Sequence, residues 1–267
     1  MSGIRSQSEK QTIGALSSFV SVGVTPFNPD DIPGLKLWLD ANDPLNNGTL
    51  PPNMSSLPVW VDRSAFGNNA DNGVAIQQPT FLTNTLNSLP TVSFNGTTNF
   101  LSLPNGVLSN GNNPYTVFAV VNFAAITNPL GTFSGFLNLG NYFVNNQGCA
   151  FRTENASFPS SVFHYWWNND VKTGANTITA GVAVSLTFNY RPSGGVNGRS
   201  IYIGGIFSAF NGSTALNLVN NGLASVGKTF NNEFLRGNLA EILVYDSFLE
   251  TGNRTAVQAY LTAKWGV

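Results

Sequence analysis

From Pro33 onward, short apolar runs alternate with turn-forming dipeptides. The first run, residues 35–40 (LKLWLD), has apolar residues at alternate positions, which is the period of a half-buried β-strand. Further strands are predicted at 91–94, 99–103, 115–123, 135–144, 162–167, 177–190, 199–204 and 239–245. Asn-Gly and Asn-Asn-Pro sequences punctuate these runs. Many short strands with almost no helix predict an all-β protein, a two-sheet antiparallel sandwich or jelly roll.

One helix is predicted near the end of the sequence, at about residues 252–264. Val257, Tyr260, Leu261 and Trp265 are three and four residues apart and therefore share one helix face. Thr251 is a possible N-cap and Gly266 a C-cap. We expect the apolar face to pack on the sandwich.

Residues 32–267 contain no internal repeat and no low-complexity linker, which predicts a single domain preceded by an N-terminal arm at 1–31. In the arm, Arg5 and Lys10 precede an apolar run at 13–24, as in a signal peptide. Serines interrupt the run and no small-x-small cleavage site follows it, so we expect an extended arm and not a signal peptide. We expect this arm to lie against another copy of the chain or another partner, with packing on its own domain as the alternative. No apolar stretch approaches the length of a membrane span.

Charge is scarce in this chain. Charged residues are 9% of the sequence, against about 25% in ordinary globular domains. The net charge is −1 and there is no basic run, which excludes an electrostatic footprint for nucleic acid. The single cysteine, Cys149, cannot form an intrachain disulfide. A surface rich in Asn, Ser, Thr and Gly, with 12% aromatic residues, is typical of adhesins, lectins and virion proteins.

Several segments, in this order, resemble laminin-G-like, concanavalin A-like jelly rolls of the lectin and glucanase superfamily. They are 60–70 (WVDRSAFGNNA), 92–103 (VSFNGTTNFLSL), 115–121 (YTVFAVV), 199–205 (RSIYIGG), 226–228 (VGK) with 234–245 (FLRGNLAEILVY), and 260–266 (YLTAKWG). The last of them is similar to a variant seen in large-virus, phage and bacterial surface proteins. The resemblance covers about residues 33–267 and implies two stacked, curved antiparallel sheets. It does not choose a function, because lectins, glycosidases and structural proteins share this fold.

The acidic residues do not predict catalysis. A glycosidase needs two carboxylates about 5–9 Å apart, and the family's E-x-D-x-x-E pattern is absent. Glu233 and Glu241 are eight residues apart, while Asp40 and Asp43 precede a turn where acids commonly bond their own backbone. His164 is the only histidine and there is no G-x-S-x-G sequence, so a nucleophilic triad is not expected. We expect a protein that is not an enzyme.

Calcium is the metal that the residue types suit best, since amide and carboxylate oxygens are its ligands. The candidate ligands are Asp62, Asn95 and Asn99. Two positions that are commonly acidic in the family are asparagine here, which removes two negative charges. We therefore expect no tight calcium site and no other cofactor.

Glu241 shares a strand face with Leu239, Leu243 and Tyr245. A carboxylate on an apolar face is costly unless it is hydrogen-bonded. One interpretation is an acid with a raised pKa; the other, which the family pattern favours, is a buried structural carboxylate with its own donors.

The predicted binding site is the segment Tyr165, Trp166, Trp167, Asn168, Asn169 and Asp170. In a strand the two tryptophans point to opposite faces, so that one enters the core and the other faces outward. An outward indole beside amides suits a sugar, with the ring stacking and the amides bonding hydroxyls. The alternative is that both indoles are covered, one of them by a subunit interface.

These features predict a non-catalytic structural or attachment protein at a virion or extracellular surface. Its expected partners are further copies of the chain, capsid or fibre proteins, and a glycan, with no nucleic acid and no membrane span. A carbohydrate-binding module is the alternative function, and a glycoside hydrolase is the second alternative.

Overall fold

The computed structural model describes residues 27–131, 133–154, 157–167, 169–192, 194, 198–212, 215–230 and 232–267. Most of the predicted N-terminal arm, residues 1–26, therefore lies outside the described residues.

The described chain forms two antiparallel sheets of eight strands each, as the alternating pattern predicts. The strands are β1 (Leu35–Asp40), β2 (Val59–Trp60), β3 (Ala70–Asp71), β4 (Thr80–Leu86), β5 (Leu89–Asn95), β6 (Leu101–Ser102), β7 (Tyr115–Phe123), β8 (Phe133–Gly140), β9 (Gly148–Glu154), β10 (Ser161–Tyr165), β11 (Val171–Lys172), β12 (Ala183–Tyr190), β13 (Arg199–Ile203), β14 (Ile206–Phe210), β15 (Ser225–Val226) and β16 (Arg236–Tyr245). Short 3-10 turns occupy Pro29–Asp31 and Ala75–Gln77.

The first sheet has the order β14-β13-β12-β7-β16-β5-β4, and β1 also pairs with β16. The second has the order β11-β10-β9-β8-β15-β6-β3-β2. β7 and β16 lie at the centre of the first sheet and are buried along nearly their whole length. This burial on both faces explains why their sequences read as continuous apolar runs.

The predicted helix is confirmed as α1 (Thr251–Trp265). Val257, Leu261 and Trp265 are its buried residues. Gly266 ends the helix at φ 72°, a left-handed conformation that suits glycine. The N-cap is Glu250, whose side chain makes no capping bond, so the expectation that Thr251 caps the helix is wrong.

Some strands do not show the alternation of apolar and polar residues that predicts a half-buried strand. β9 (GCAFRTE) is buried along its whole length although it contains Arg152 and Glu154. Its polar side chains have partners in neighbouring loops, which a sequence pattern cannot reveal. β10 ends at Tyr165, two residues earlier than predicted, because the backbone turns there.

Buried apolar side chains of both sheets and of α1 form one continuous cluster. Cys149 lies within it. Among the described residues, no helix combines the length and apolar character that crossing a bilayer requires.

Candidate functional site

Trp166 lies just after β10 and is completely buried. Its indole Nε1 donates a hydrogen bond to the Tyr115 hydroxyl at 3.0 Å, and the Arg199 guanidinium lies 3.6 Å from the ring centroid. A ring enclosed in this way has no face for a ligand. The prediction that Trp166 contacts a ligand is therefore corrected: it anchors the segment from inside the core.

Trp167 points the other way and is partly exposed. Its backbone has φ 56°, the left-handed region that non-glycine residues rarely adopt. This conformation ends the strand and turns the indole outward, toward Phe143 (6.2 Å between ring centroids) and Phe230 (5.6 Å). The expectation that the two adjacent indoles part, one to the core and one outward, is confirmed.

Trp167 belongs to an aromatic patch formed by Tyr142, Phe143, Tyr165, Trp167 and Phe230. The Phe143 and Phe230 rings are 5.1 Å apart in a T-shaped pair, the geometry that aromatic quadrupoles favour. Phe143 is 46% exposed, whereas Tyr142 beneath it is buried. The patch is thus an apolar surface with a rigid base.

Three separate segments build the patch: the 141–147 loop between β8 and β9, the end of β10, and the loop between β15 and β16 that carries Phe230. Sequence reasoning found only the β10 segment. One signal could have found Phe143, because the turn NYFVNNQ places aromatic residues among turn-forming asparagines, where an apolar core residue is not needed.

Amide side chains hold two of these segments together. Asn169 Nδ2 donates to Asn146 Oδ1 at 2.6 Å, and the Asn146 N–H donates to the carbonyl oxygen of Trp166 at 2.8 Å. Asp170 accepts a hydrogen bond from the Trp166 N–H at 3.3 Å. Burial raises the pKa of Asp170. Asn168 lies outside the described residues.

A buried ion pair fixes the third segment. Arg152 of β9 pairs with Glu233, which also accepts a hydrogen bond from Thr229 Oγ1 at 2.7 Å. The Arg152 guanidinium lies 3.9 Å from the ring centroid of Tyr165. Because each charge has a close partner of opposite sign, Arg152 and Glu233 position the loop that carries Phe230.

Glu241 is fully buried on the face of β16 that α1 covers. It accepts hydrogen bonds from Trp38 Nε1 at 2.7 Å, Tyr260 Oη at 2.8 Å, Lys264 Nζ at 2.8 Å and Trp265 Nε1 at 2.6 Å. Burial, together with the nearby charge of Asp40, raises the pKa of Glu241, whereas Lys264 and the Trp265 indole lower it. The expectation of a buried structural carboxylate with its own donors is confirmed.

Asp40 stands directly opposite Glu241 in the pairing of β1 with β16. Both carboxylates are bound by Lys264, with an Asp40 Oδ2 to Nζ distance of 2.8 Å. Arg63 supplies a second cation to Asp40 at 3.0 Å. The lysine therefore ties the last turn of α1 to β1 and to the central strand β16 of the first sheet.

The three calcium candidates serve as local caps. Asp62 accepts hydrogen bonds from the backbone N–H groups of Trp38 at 2.8 Å and Ser64 at 2.9 Å. Asn95 Oδ1 accepts three N–H groups of its own turn, including that of Asn99 at 3.1 Å. Asn99 Oδ1 accepts the Asn95 N–H at 3.1 Å in return. Within the described residues, no group of three or more His, Cys, Asp or Glu side chains is arranged to hold a metal ion.

His164 lies in the core, where its Nε2 shares a hydrogen bond with the Tyr115 hydroxyl. Burial, together with the positive charge of Arg199, lowers the pKa of His164 well below its usual value. Burial raises the pKa of Cys149 to about 12. Both groups are thus held uncharged inside the sandwich.

No family model matches the sequence, and no curated protein matches it either. Solved structures do resemble the fold. Trypanosoma rangeli sialidase aligns with a TM-score of 0.55 at 14% identity, over 86% of this chain and 33% of that chain. The botulinum neurotoxin serotype D binding domain aligns with a TM-score of 0.54 at 11% identity, over 86% of this chain and 51% of that chain. Domain 4 of a GH43 extracellular arabinanase from Geobacillus stearothermophilus, in complex with arabinotriose, aligns with a TM-score of 0.49 at 14% identity, over 84% of this chain and 98% of that chain.

At these identities the likeness concerns the fold alone. The chain spans about a third of the sialidase chain and half of the toxin binding domain chain. The structural neighbours support a two-sheet β-sandwich, consistent with a lectin-like jelly roll. They do not show that the chain is laminin-G-like, which is a narrower assignment.

Proposed function

We propose that this protein is a non-catalytic attachment protein of the laminin-G-like kind, which binds a glycan through the aromatic patch. The observation that carries the proposal is the outward turn of Trp167 beside the 46% exposed Phe143. Monomeric proteins rarely expose neighbouring aromatic rings without a function for them. One structural neighbour is named a sialidase, an enzyme that acts on carbohydrate, and this agrees with a glycan ligand.

The binding would combine stacking with hydrogen bonding. The C–H face of a pyranose or furanose ring is apolar and fits against an exposed aromatic ring, while its hydroxyl groups need polar partners. Asn146 and Asn169 belong to the two segments that carry Phe143 and Trp167, are hydrogen-bonded to each other, and provide amide groups. Since the amides and the aromatic base are held by internal contacts, little conformational entropy is lost on binding.

A neutral glycan suits this patch better than a charged one. The charged residues beneath it, Arg152 and Glu233, are buried and paired with each other. Recruiting Arg152 to a sugar carboxylate would leave Glu233 uncompensated, at a cost of several kcal/mol, about 3–5.

The positions of the acidic residues support a non-catalytic function. Asp40 and Glu241 do face each other, but both are buried and share Lys264. Glu233 is paired with Arg152. None of these three carboxylates faces an open cleft in which a sugar and a water could lie between two acids. We expect no product release from a panel of polysaccharides; hydrolysis abolished by changing one acid would overturn this part of the proposal.

A glycan array probed with a multivalent form of the protein tests the binding function. Trp167→Ala and Phe143→Ala should each reduce binding by at least about tenfold, because truncating a central aromatic anchor costs about 2 kcal/mol. Phe66→Ala is the matched control, since Phe66 is 55% exposed but lies in the 60–70 loop, on another part of the chain. Binding that survives both patch substitutions, or an array with no bound glycan, would refute the proposal.

The place of action that we propose is the surface of a virion or a similar assembly, where copies of the chain contact one another. The support is β14, an edge strand of the first sheet, which exposes Ile206 (75%), Phe207 (49%) and Phe210 (48%). Exposed apolar edges are normally avoided because they pair with other chains. Ile206→Lys should lower the solution mass measured by light scattering; an unchanged mass, or a monomeric wild type, would contradict the assembly contact.

A further inference from the structure

An apolar groove runs along the outer side of α1. It has a volume of about 630 Å³ and is lined by Phe27, Ala256, Ala259, Tyr260, Ala263 and Lys264. The helix residues of this set are three and four positions apart, so they form one face, distinct from the buried face of Val257, Leu261 and Trp265. Ala259 and Ala263 are exposed in the part of the chain that the structure describes.

The described chain begins inside this groove. The ring of Phe27, the first described residue, lies 5.8 Å from that of Tyr260. Two residues later the Pro29 carbonyl oxygen accepts a hydrogen bond from the Tyr245 hydroxyl at 2.9 Å. These contacts fix the start of the described chain against α1 and β16, so the residues before Phe27 join the described chain at a residue that lines the groove.

The preceding sequence has the chemical character of the groove. Residues 11–29 contain no charged side chain, and 18–24 (SFVSVGV) place Phe19, Val20, Val22 and Val24 within nine residues of Phe27. The one charged residue of the groove, Lys264, is already bound to Asp40 and Glu241. A contact between residues 18–24 and the groove would therefore bury no unpaired charge.

The segment is also long enough. The helix residues that line the groove run from Ala256 to Lys264, about 12 Å at 1.5 Å per residue, and seven extended residues span about 23 Å at about 3.3 Å per residue, which is enough to cover it. We propose that residues 18–24 lie in the α1 groove of their own chain. A short tether gives such a segment an effective concentration in the millimolar range, which a second copy in dilute solution does not reach.

Disulfide trapping tests this contact directly. Val20→Cys or Val22→Cys is combined with Ala259→Cys in the full chain and oxidised mildly. The matched control combines the same arm cysteines with Thr255→Cys, because Thr255 is exposed on the same helix but does not line the groove. Cys149 can stay, since it is buried, and the wild-type chain reveals any exchange with it.

We expect a cross-linked monomer, seen as the loss of two hydrogen atoms in the intact mass, with at least one Ala259→Cys pair. The Thr255→Cys pairs should form about tenfold more slowly, because a disulfide needs Cβ atoms about 4 Å apart. Covalent dimers would show that the arm binds a second copy. Equal rates for both partners, or no cross-link in any pair, would also overturn the proposal.

A charge in the groove provides an independent measurement. Ala259→Glu should speed cleavage within residues 13–24 by a nonspecific protease by about tenfold, because the arm loses its binding surface. Thr255→Glu places the same charge on the same helix outside the groove and should leave the cleavage rate unchanged. Cleavage that is equally fast in the wild type and in Ala259→Glu would contradict a docked arm.

Discussion

Replacing Glu241 by leucine tests whether this carboxylate holds α1 on the sandwich. Four donors converge on it, from Trp38, Tyr260, Lys264 and Trp265, at 2.6 to 2.8 Å. Leucine accepts none of their hydrogen bonds, so two indole N–H groups and part of a buried ammonium lose their partner.

The magnitude follows from these contacts. Removing one partner of a buried ion pair costs about 3–5 kcal/mol. Lys264 keeps Asp40 at 2.8 Å, which limits the loss, whereas each indole left without an acceptor adds about 1 kcal/mol or more. We therefore expect the free energy of unfolding to fall by about 4 kcal/mol. For a domain of this size that is a fall in Tm of about 8–16 °C.

Thermal and urea unfolding, followed by circular dichroism, measure the change. Glu250→Gln is the control: its carboxylate is 74% exposed and pairs with Arg191, so its loss should cost about 0.5 kcal/mol or less. Glu241→Gln keeps the side-chain shape and should fall between the two. If Glu241→Leu unfolds within about 1 kcal/mol of the wild type, the account of Glu241 as the anchor of the helix is wrong.

Three further predictions concern the core and the backbone. The pKa of His164 is lowered in the folded protein, so the unfolded chain binds a proton first as pH falls. The free energy of unfolding should therefore decrease below about pH 6.5, by up to about 1.4 kcal/mol per pH unit. His164→Gln should have a flatter pH dependence than the wild type between about pH 7 and pH 5, and equal slopes would contradict this. Cys149, with its pKa raised to about 12, should react with a thiol reagent only on unfolding, so rapid modification of the native protein would argue against its burial. Gly252 has open space around it, so Gly252→Ala should raise the free energy of unfolding in urea by about 0.5–1 kcal/mol. Gly237→Ala should lower the free energy of unfolding by at least about 2 kcal/mol, since the added Cβ would lie 2.1 Å from the Asn122 carbonyl oxygen. The opposite order of stability would refute both predictions.

The sequence predicts the fold well because its signals are local. Alternation identifies β1, short apolar runs between turn-forming residues identify β7 and most of β16, and the three-and-four spacing of Val257, Leu261 and Trp265 identifies the helix. Strand β9 is missed because its buried arginine is neutralised by Glu233, 81 residues away. The pairing of a buried charge with a distant partner depends on which loop folds over the sheet, so a local sequence pattern cannot predict it.

The candidate site is predicted only in part for the same reason. The adjacent tryptophans are visible in the sequence, and their separation into core and surface is as predicted, although the left-handed turn at Trp167 produces it and not strand alternation. The partners of Trp167 are not visible, because Phe143 and Phe230 come from loops that meet only in the folded chain. Trp166, equally aromatic in the sequence, proves to be structural because Arg199 and Tyr115 enclose it.

The Glu241 cluster has a consequence for synthesis. Trp38 and Glu241 are 203 residues apart, and Lys264 and Trp265 follow later still. While a ribosome is making the chain, the strands around Glu241 emerge before the residues that neutralise it. A nascent or prematurely terminated chain that lacks Lys264 and Trp265 carries a carboxylate that it cannot bury at acceptable cost. The stability of the buried Glu241 thus depends on the last turn of α1, so a chain that stops before Lys264 should be less stable and more readily degraded.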